Sequence, residues 1–283
     1  MERQGKRVSS PWFLMKDKIA LIIPVRNLSW MTINLLESIK STTDLNEIFF
    51  VIVDNGSTQE ESDKVHTWVD TNTKLYEIIW FKEPLGFIGA VNSGLQYVFD
   101  NGFKFFFIFN NDTLVTSEWL PRMLESLKKD MVAIVGGMTS PPDWRKLPES
   151  EDIIRQKKKY KELKKGLEGF SKILRQNLNN VEKEVDFMPF YGTGFKASAA
   201  REIGYLEKRF FLGLFDDDDY CLRTLKMGYK IVHRKDVYIH HYHNSTFIEH
   251  GINYDQLLET NRQVFIDKWG FDPWKRRENL KKV

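Results

Sequence analysis

Short apolar runs alternate with helical segments in the first part of the chain, and this alternation limits the fold more than any other feature. Four runs rich in β-branched and aromatic residues are typical of buried strands. They span residues 18–25, 48–57, 76–83 and 104–110. Helical segments near 29–39, 59–70 and 87–99 separate them. Because both faces of such strands are apolar, the pattern predicts an α/β fold with a mostly parallel sheet covered by helices on both faces.

We expect residues 1–283 to form a single domain, because no repeat or clear boundary divides them. Apolar residues make up 42% and aromatic residues 14% of the chain, which is enough hydrophobic surface to form a core and argues against disorder. The net charge of +3 is too small to indicate a nucleic acid partner. We therefore expect no nucleic acid binding.

Residues 141–186 are richer in charge than the rest and predict a helical, basic insertion. After a loop, we expect a long helix or helical hairpin, with Gly166 and Gly169 as breaks. Six apolar residues recur at helical spacing and predict a face that packs on the rest of the protein. They are Tyr160, Leu163, Leu167, Phe170, Leu174 and Leu178. Residues 252–283 predict a C-terminal helix followed by a basic tail.

The opposite face of the insertion is crowded with lysine and arginine. A solvated helix face is the simpler interpretation. The functional alternative is a surface that attracts an anionic acceptor or an acidic membrane. Both interpretations stay open at the level of the sequence.

The chain carries a single cysteine, Cys221, which excludes an intrachain disulfide and favours a reducing compartment. The basic N-terminal segment lacks the apolar stretch of a signal peptide, and the apolar run at 19–25 is too short to cross a bilayer. We therefore expect a cytoplasmic protein, with basic patches that allow peripheral contact at the inner face of the membrane.

Polar residues follow three of the predicted strands. They are Arg26-Asn27, Asp54-Asn55 and Asn110-Asn111-Asp112. Each group alone is explained by turns and helix caps. Ligands of parallel sheets bind beyond the carboxyl ends of the strands, so three such groups together favour one crevice that binds a ligand.

The crevice lacks the common phosphate-binding motifs. No GxxxxGK[ST] occurs, and the glycines of "PLGFIGAVNSG" do not fit GxGxxG, which argues against an ATPase or a redox enzyme. Asp112 instead offers the carboxylate that a hard divalent cation prefers. Such a cation would bridge the phosphates of a nucleotide diphosphate and neutralise it as a leaving group.

Four aspartates in a row, Asp216 to Asp219, and three histidines, His240, His241 and His243, complete the candidates. One aspartate could act as the base that activates an acceptor hydroxyl. Acidic residues are also favoured in the first turn of a helix, and both interpretations can hold together. Alternation along a strand places His241 and His243 on one face and His240 on the other. Any of the three could be a metal ligand or an ordinary polar residue.

These motifs together resemble those of the family 2 glycosyltransferases with the GT-A fold, and most closely the rhamnosyltransferase-like members that build bacterial surface polysaccharides. The resemblance runs from about residue 19 to about 270 and depends on the order of "LIIPVRN", "VIVDNGS", "LGFIGAVNSGL", "FNNDT", "GTGF", "FFLGLFDDDDYCLR", "GYKIV", "HHYHNST" and "FIDKWG". It implies a single Rossmann-like sheet, to which the charged helical insertion is added.

The resemblance also implies an inverting transfer of a hexose or deoxyhexose from a nucleotide-diphosphate sugar. The acceptor would be a hydroxyl of a glycan or lipid-linked glycan, and the cofactor Mg²⁺ or Mn²⁺. UDP is the first guess for the nucleotide and dTDP the second. The competing hypothesis is a non-catalytic protein that binds a nucleotide sugar, which the replacement of the first aspartate of the family's DXD motif by Asn110 favours.

Residue roles follow from the same resemblance. Asp217 matches the catalytic base, and Asp216 stands where the family has glutamate. Asp112 and His241 match the metal ligands, although a small gap would select His240. The acceptor or sugar side would be formed by Thr193, Gly194 and Asp216. The nucleotide-sugar side would be formed by Pro24, Arg26, Asn27, Asp54, Asn55, Gly86, Asn92, Asn110, Asn111 and Asp112.

Overall fold

The first part of the protein follows the predicted order of strands and helices. A computed structural model describes residues 17–139, 160–243 and 245–275. The first strands are β1 (Ile19–Val25), β2 (Ile48–Asn55), β3 (Tyr76–Phe81) and β4 (Phe105–Ile108). The helices between them are α1 (Ser29–Thr42), α2 (Gln59–Asn72) and α3 (Gly86–Asp100). These four strands pair in parallel in the order β3-β2-β1-β4.

Strand β1 lies at the centre of this parallel block and contributes to two hydrophobic cores. Every residue of β1 and β2 is buried. Ala20 and Ile22 point to the core that α3 covers, whereas Leu21 and Ile23 point to the core that α1 covers. Successive residues of a strand face opposite sides, so an uninterrupted apolar run is what two covered faces require. A Cβ at Gly94 would lie 2.4 Å from Ile22, so α3 packs closely on β1.

The second part continues the sheet with shorter strands. They are β5 (Thr113–Val115), β6 (Val132–Met138), β7 (Glu182–Val185), β8 (Thr193–Lys196) and β9 (Lys230–His241). The sheet runs in the order β3-β2-β1-β4-β8-β6-β9-β5, and β7 pairs with β9. Strand β6 pairs with β9 in parallel. The pairs that involve β5, β7 or β8 are antiparallel. Parallel pairs hold most of the aligned residues, so the sheet is mostly parallel, as predicted.

The remaining helices flank this sheet. They are α4 (Trp119–Leu127), α5 (Tyr160–Leu178), α6 (Ala197–Ile203), α7 (Asp216–Lys226), α8 (Ser245–Glu249) and α9 (Tyr254–Trp269). Helix α9 follows the predicted C-terminal helix, and α7 begins at the aspartates, where a helix start was one of the two interpretations. Elements β5, α4 and β6 were not predicted. No helix in the described part of the chain has the length and hydropathy needed to cross a bilayer.

The predicted insertion is only partly described, because residues 140–159 and the side chains of residues 160–163 lie outside the described set. Helix α5 runs through Gly166 and Gly169, so neither glycine breaks it. Residues 182–185 form a strand instead of the predicted helix. Asn180 has a left-handed φ of 57° just before them, and the antiparallel pairing with β9 satisfies their backbone groups.

The apolar stripe of α5 packs on the sheet, as its spacing predicts. Leu167 packs with a small core formed around Leu28 and Tyr242, Leu174 is buried, and Phe170 meets the Tyr238 ring edge-on at 4.9 Å. On the basic face, Arg175 donates to the Ser117 carbonyl oxygen and contacts Glu118. The basic tail at 276–283 lies outside the described residues.

Candidate active site

A cavity of about 1220 Å³ lies beyond the carboxyl ends of β1, β2 and β4, at the edge where ligands of parallel sheets bind. Most of the predicted site residues line it. They are Pro24, Arg26, Asn55, Gly86, Asn110, Asn111, Asp112, Asp216, Asp217 and His241. In the described part of the chain, five other predicted residues do not line it. They are Asn27, Asp54, Asn92, Thr193 and Gly194.

Two of these five shape the loops beside the cavity. The buried Asp54 carboxylate accepts a hydrogen bond from the Ser57 amide at 3.0 Å. The Asn27 side chain accepts from the Thr58 amide at 2.9 Å, and the Asn27 amide donates to Ser57 Oγ at 2.9 Å. These bonds fasten the turn after β1 to the turn after β2, as Asx side chains do in turns.

The other three pack inside the protein. Asn92 exchanges two hydrogen bonds with the backbone of Leu206, at 2.9 and 3.0 Å. Thr193 is buried in β8 and donates to the Pro189 carbonyl oxygen at 2.8 Å. A Cβ at Gly194 would lie 2.5 Å from the Phe107 ring, so glycine allows β8 to approach β4 closely. Their contacts are those of supporting residues.

Asp112 and His241 lie side by side at one end of the cavity. Asp112 immediately precedes β5, and Thr113 in β5 pairs with His241 in β9. This antiparallel pairing places Asp112 Oδ1 3.1 Å from His241 Nε2. Asn110 Nδ2 lies 3.3 Å from the same nitrogen. A carboxylate and an imidazole nitrogen therefore face a common point in a largely buried pocket.

The surroundings of this pair favour a charged carboxylate and a fixed imidazole. Burial raises the pKa of Asp112, but the nearby His241 and hydrogen bonds from His241 and Ser245 outweigh it, so its pKa lies below the usual value. The His241 ring stacks on Tyr191 with centroids 5.4 Å apart, and it lies 4.1 Å from the His243 ring. Tyr191 is itself anchored, because its hydroxyl donates to the Gly137 carbonyl oxygen.

His240 faces the opposite side of β9, as alternation predicts. Its ring meets Tyr242 edge-on at 4.7 Å. Burial lowers the pKa of His240 to about 4, so the imidazole stays neutral near pH 7. It does not line the cavity, and the imidazole that contacts Asp112 is that of His241.

The four aspartates begin helix α7 and fall into two groups. Asp216, Asp217 and Asp218 line the cavity. Asp219 points into the protein, where it is fully buried, contacts Arg223 and Lys268, and accepts from Trp269 Nε1 at 2.9 Å. Acidic side chains at a helix N-terminus also interact favourably with the helix dipole. The same run of aspartates therefore forms both the start of helix α7 and part of the cavity wall.

Asp216 and Asp217 differ in their exposure to solvent. Asp217 is partly exposed, and its Oδ1 accepts from the Asp218 amide at 2.9 Å. Asp216 is buried. Burial, together with the negative charges of Asp218 and Asp219, raises the pKa of Asp216 to about 7. The cavity thus contains two neighbouring carboxyl groups in different environments.

The family model for Glycosyl transferase family 2 matches residues 20–204, which is more than half of the chain. The chain belongs to glycosyltransferase family 2. A comparison with curated proteins gave no match. The matched range includes the strand ends and Asn110 to Asp112, and it stops before the aspartates, β9 and α9.

Solved structures similar to this family 2 protein share its fold. GalNAc-T7 with UDP, GalNAc and Mn²⁺ has 12% identity, covers 79% of this chain and 43% of its own, and gives a TM-score of 0.58. The mannosyltransferase PcManGT from Pyrobaculum calidifontis, with GDP-Man and Mn²⁺, has 18% identity, coverages of 84% and 61%, and a TM-score of 0.57. S. aureus TarS 1-349 with UDP-GlcNAc has 14% identity, coverages of 81% and 61%, and a TM-score of 0.55.

This family 2 chain spans 43% to 61% of the length of those three solved chains. At such identities the likeness shows the fold alone. The sheet order and the flanking helices are those of the GT-A fold, as the sequence motifs imply.

The loop that precedes the aspartates of this family 2 protein is strained and tightly held. Phe211, Gly213, Leu214 and Phe215 all have positive φ, which is uncommon outside glycine and clusters at functional sites. The Phe211 carbonyl oxygen accepts from the Ile88 amide at 3.0 Å. A Cβ at Gly86 would lie 2.6 Å from the same oxygen, so only glycine fits there.

From the other side, the buried side chain of Asn261 in α9 clamps this loop. Asn261 Nδ2 donates to the Phe210 carbonyl oxygen at 3.0 Å and also to that of Gly213. The loop Phe210–Phe215 is thus fixed between α3 and α9, and it sets where α7 begins. No local pattern in the sequence marks Asn261, because its partners lie about fifty residues away.

Several cavity residues were missed by sequence reasoning. They are Tyr191, Phe247, Tyr254, Leu258, Pro273 and Trp274. Most are apolar or aromatic, and such residues at helical spacing are indistinguishable from core positions in a sequence. Asn253 caps α9 by accepting from the Gln256 amide, and the cavity residues Tyr254 and Leu258 that follow it lie outside the recognised motifs.

Proposed function

We propose that this protein transfers a sugar from a nucleotide-diphosphate sugar to a hydroxyl of a glycan or lipid-linked glycan, with inversion at the anomeric carbon. The observation that carries this proposal is a single cavity with a carboxylate and imidazole pair at one end and the carboxylates of α7 on its wall. We call the part lined by Pro24, Asn55, Asn110, Asp112 and His241 the donor end.

A divalent cation fits the donor end. Asp112 and His241 offer an oxygen and a nitrogen ligand of the kinds that Mn²⁺ accepts. Asn110 Oδ1 is buried and has no hydrogen-bond partner among the described residues, so it is available as a third ligand or for the donor. With two or three protein ligands, the other coordination positions of such a cation would be filled by water or by phosphate oxygens of the donor.

A bound Mg²⁺ or Mn²⁺ would neutralise the diphosphate as it leaves. Asp112 and His241 would hold the cation, and Tyr191 would keep the His241 ring oriented through their stacking. Of the three neighbours, GalNAc-T7 and PcManGT were solved with Mn²⁺, which favours Mn²⁺ as the first cation to test.

Asp217 is the proposed base. Its carboxylate would accept the proton of the acceptor hydroxyl while that oxygen attacks the anomeric carbon and the bond from carbon to the diphosphate oxygen breaks. Attack opposite to the leaving group inverts the configuration. Asp216 is the rival, because a pKa of about 7 suits a base that works near neutral pH. Its burial gives it less access to an acceptor than the partly exposed Asp217 has.

The proposed partners are a nucleotide-diphosphate sugar and an acidic membrane surface, each defined by its chemical class. UDP is the first nucleotide to test, since two of the neighbours carry UDP or a UDP sugar, followed by GDP and dTDP. The donor sugar would be a hexose or deoxyhexose. Lys165 and Lys172 on the exposed face of α5 support peripheral contact with an acidic membrane.

The test is a panel of nucleotide-diphosphate sugars with Mn²⁺ or Mg²⁺, in which released nucleotide diphosphate is measured with and without glycan acceptors. We expect release that depends on the cation and increases with an acceptor, and a product of inverted anomeric configuration by NMR. Nucleotide binding without any release would instead support the non-catalytic alternative, which Asn110 in place of the first aspartate of the family's DXD motif favours.

A further inference from the structure

Besides the donor residues, the cavity is lined by aromatic and apolar side chains that follow the matched family range, and we refer to this part as its second end. They are Phe247, Ile252, Tyr254, Leu258, Pro273 and Trp274. The two parts adjoin each other, because Ser245 hydrogen-bonds the donor residue Asp112. The whole cavity measures about 1220 Å³, which exceeds the roughly 300–1,000 Å³ of a pocket for one small ligand. A second substrate therefore has room beside the donor.

Trp274 is the most unusual residue at this end. It is 64% exposed, more than any other large hydrophobic side chain in the described part of the chain. Ligand pockets are lined mainly by hydrophobic and aromatic side chains, and Trp274 lines this cavity. Trp80, by comparison, is 46% exposed on the edge strand β3 and does not line the cavity.

The indole of Trp274 is held in place although it is exposed. The Arg262 guanidinium lies 4.5 Å from the ring centroid, a cation–π contact. Arg262 is itself paired with Asp272 and Glu259. Asp272 Oδ1 also accepts from the Trp274 amide at 3.0 Å. A ring that is fixed before binding loses little conformational entropy when a ligand packs on it.

Tyr254 connects this aromatic end to the proposed base. It is the first residue of α9, and its ring lies 6.0 Å from that of Phe247. Burial raises the pKa of Tyr254, and the negative charges of Asp255 and Asp217 raise it further. Tyr254 and Asp217 line the same cavity.

The charge of this region selects the class of ligand. Asp217, Asp218 and Asp255 line the cavity there, whereas the nearby Arg262 is already paired with carboxylates. An anionic group would meet repulsion at this rim, and an uncharged polyol would not. The C–H faces of a sugar ring carry slight positive charge and pack on the negative face of an aromatic ring.

We propose that Tyr254 and Trp274 form an acceptor subsite for an uncharged sugar unit, which packs on the Trp274 indole with one hydroxyl directed toward Asp217. We call this part of the cavity the acceptor end. The proposal rests on the proposed function. It places the acceptor sugar away from the basic face of α5, so an acceptor chosen by negative charge is not expected.

The test measures binding of simple glycosides without any donor, so that it stands apart from turnover. Methyl hexosides, methyl N-acetylhexosaminides and hexose 1-phosphates are titrated by saturation-transfer NMR against the wild-type protein and three variants. The variants are Trp274→Ala, Trp274→Phe and the matched control Trp80→Ala. Affinity for UDP and GDP with Mn²⁺ is measured on the same samples to check that the donor end is intact.

We expect neutral methyl glycosides to bind the wild-type protein more tightly than hexose 1-phosphates. Trp274→Ala should weaken that binding about tenfold, as the loss of an aromatic contact does, with nucleotide affinity within about twofold of wild type. Trp274→Phe should retain most of the affinity, and Trp80→Ala should behave as wild type.

Equal glycoside binding by Trp274→Ala and wild type would overturn the subsite, as would a preference for hexose 1-phosphates. Binding only of long-chain alkyl glycosides would overturn it too, because the aromatic end would then take a lipid chain. Absence of nucleotide binding and donor turnover in the wild type, with glycoside binding intact, would instead contradict the proposed function and leave the sugar subsite standing.

Discussion

The donor end and the acceptor end of the cavity are built in different ways. At the donor end, Asn55 and Asn110 stand at or just after buried strands that pair in register with β1, so the strand ends meet without special backbone geometry. At the acceptor end, the aspartates follow a loop of left-handed residues that Asn261 and the N-terminus of α3 clamp. The first depends on periodic local sequence, and the second on contacts between distant segments.

This difference indicates which parts can vary independently. A donor end formed by strand termini is stabilised by the same two cores that stabilise the sheet. An acceptor end formed by a clamped loop and the C-terminal residues can change its specificity without changing the sheet. Variants at the two ends should therefore fail in different measurements, and four substitutions test this from the largest expected effect to the smallest.

Replacing Asp217 by asparagine should give the largest effect. An amide cannot accept the proton of the acceptor hydroxyl, so the rate of sugar transfer should fall about 10²–10⁴-fold. Nucleotide affinity with Mn²⁺ should stay near that of the wild type, because Asp217 is not one of the proposed metal ligands. The matched control is Asp218→Asn, which changes the neighbouring aspartate on the cavity wall and should keep most of the activity. Full activity of Asp217→Asn would move the role of base to Asp216.

Replacing His241 by alanine should break the donor end instead. The loss of a metal ligand should weaken nucleotide-diphosphate binding in Mn²⁺ at least about tenfold. Binding without metal should not change, and neither should binding of methyl glycosides at the acceptor end. Isothermal titration with and without Mn²⁺ measures both.

His240→Gln provides the comparison for that experiment, because His240 is the adjacent residue on the other face of β9. Its nucleotide affinity should retain the wild-type dependence on Mn²⁺. The opposite outcome, with His240 needed and His241 dispensable, would shift the metal ligand by one residue and contradict the geometry at Asp112.

Replacing Asn261 by alanine should affect the position of the aspartates. The Gly213 carbonyl oxygen would lose the Asn261 donor, and the Phe210 carbonyl oxygen would keep only the Gly213 amide. The strained loop would then gain other conformations. We expect kcat to fall about tenfold with little change in nucleotide affinity, since small misplacements of a catalytic group are costly. Steady-state kinetics and nucleotide titration together distinguish this from a general loss of folded protein.

Ser38→Ala serves as the control for Asn261→Ala. Ser38 is also buried, and its hydroxyl donates to the Leu35 carbonyl oxygen and accepts from the Val115 amide, far from the loop. The Ser38→Ala substitution should lower the free energy of unfolding by about 1–2 kcal/mol and leave kcat unchanged. A similar fall in kcat in both variants would show that Asn261 acts only through stability.

The contrast between the two ends also explains what the sequence could predict. The strands β1, β2 and β4 and the polar groups at their ends follow from uninterrupted apolar runs, which have few alternative interpretations. Strand β5 has three residues and β7 is polar on its exposed positions. Such segments become strands only because β9 pairs with them, and pairing is not visible in local sequence.

The candidate site shows the same difference between local motifs, which a sequence reveals, and contacts between distant segments, which it does not. Asp112 and His241 could be proposed from their motifs, but their contact depends on the pairing of Thr113 with His241 across the sheet. Asn27 and Asp54 stand beside the cavity, yet their side chains satisfy turn amides. No sequence motif marks Asn261 or Trp274 as part of the site. Asn261 binds backbone carbonyl oxygens of a distant loop, and Trp274 has an exposed ring, and neither property can be recognised in a local sequence.

The smallest expected effect concerns the stability of the acceptor end, through Asp216. Burial raises its pKa from 3.8 to about 7, so between those values the folded protein binds a proton that the unfolded chain has lost. Wild-type stability should therefore fall as pH rises through this window. Asp216→Asn cannot ionise, so its free energy of unfolding relative to that of the wild type should rise as pH increases from about 4 to about 7, by at most about 1.4 kcal/mol per pH unit. Urea unfolding across that range measures the gain, with the exposed Asp130→Asn as control. Parallel stability curves for Asp216→Asn and the wild type would show that the Asp216 carboxylate ionises as readily in the folded protein as in the unfolded chain.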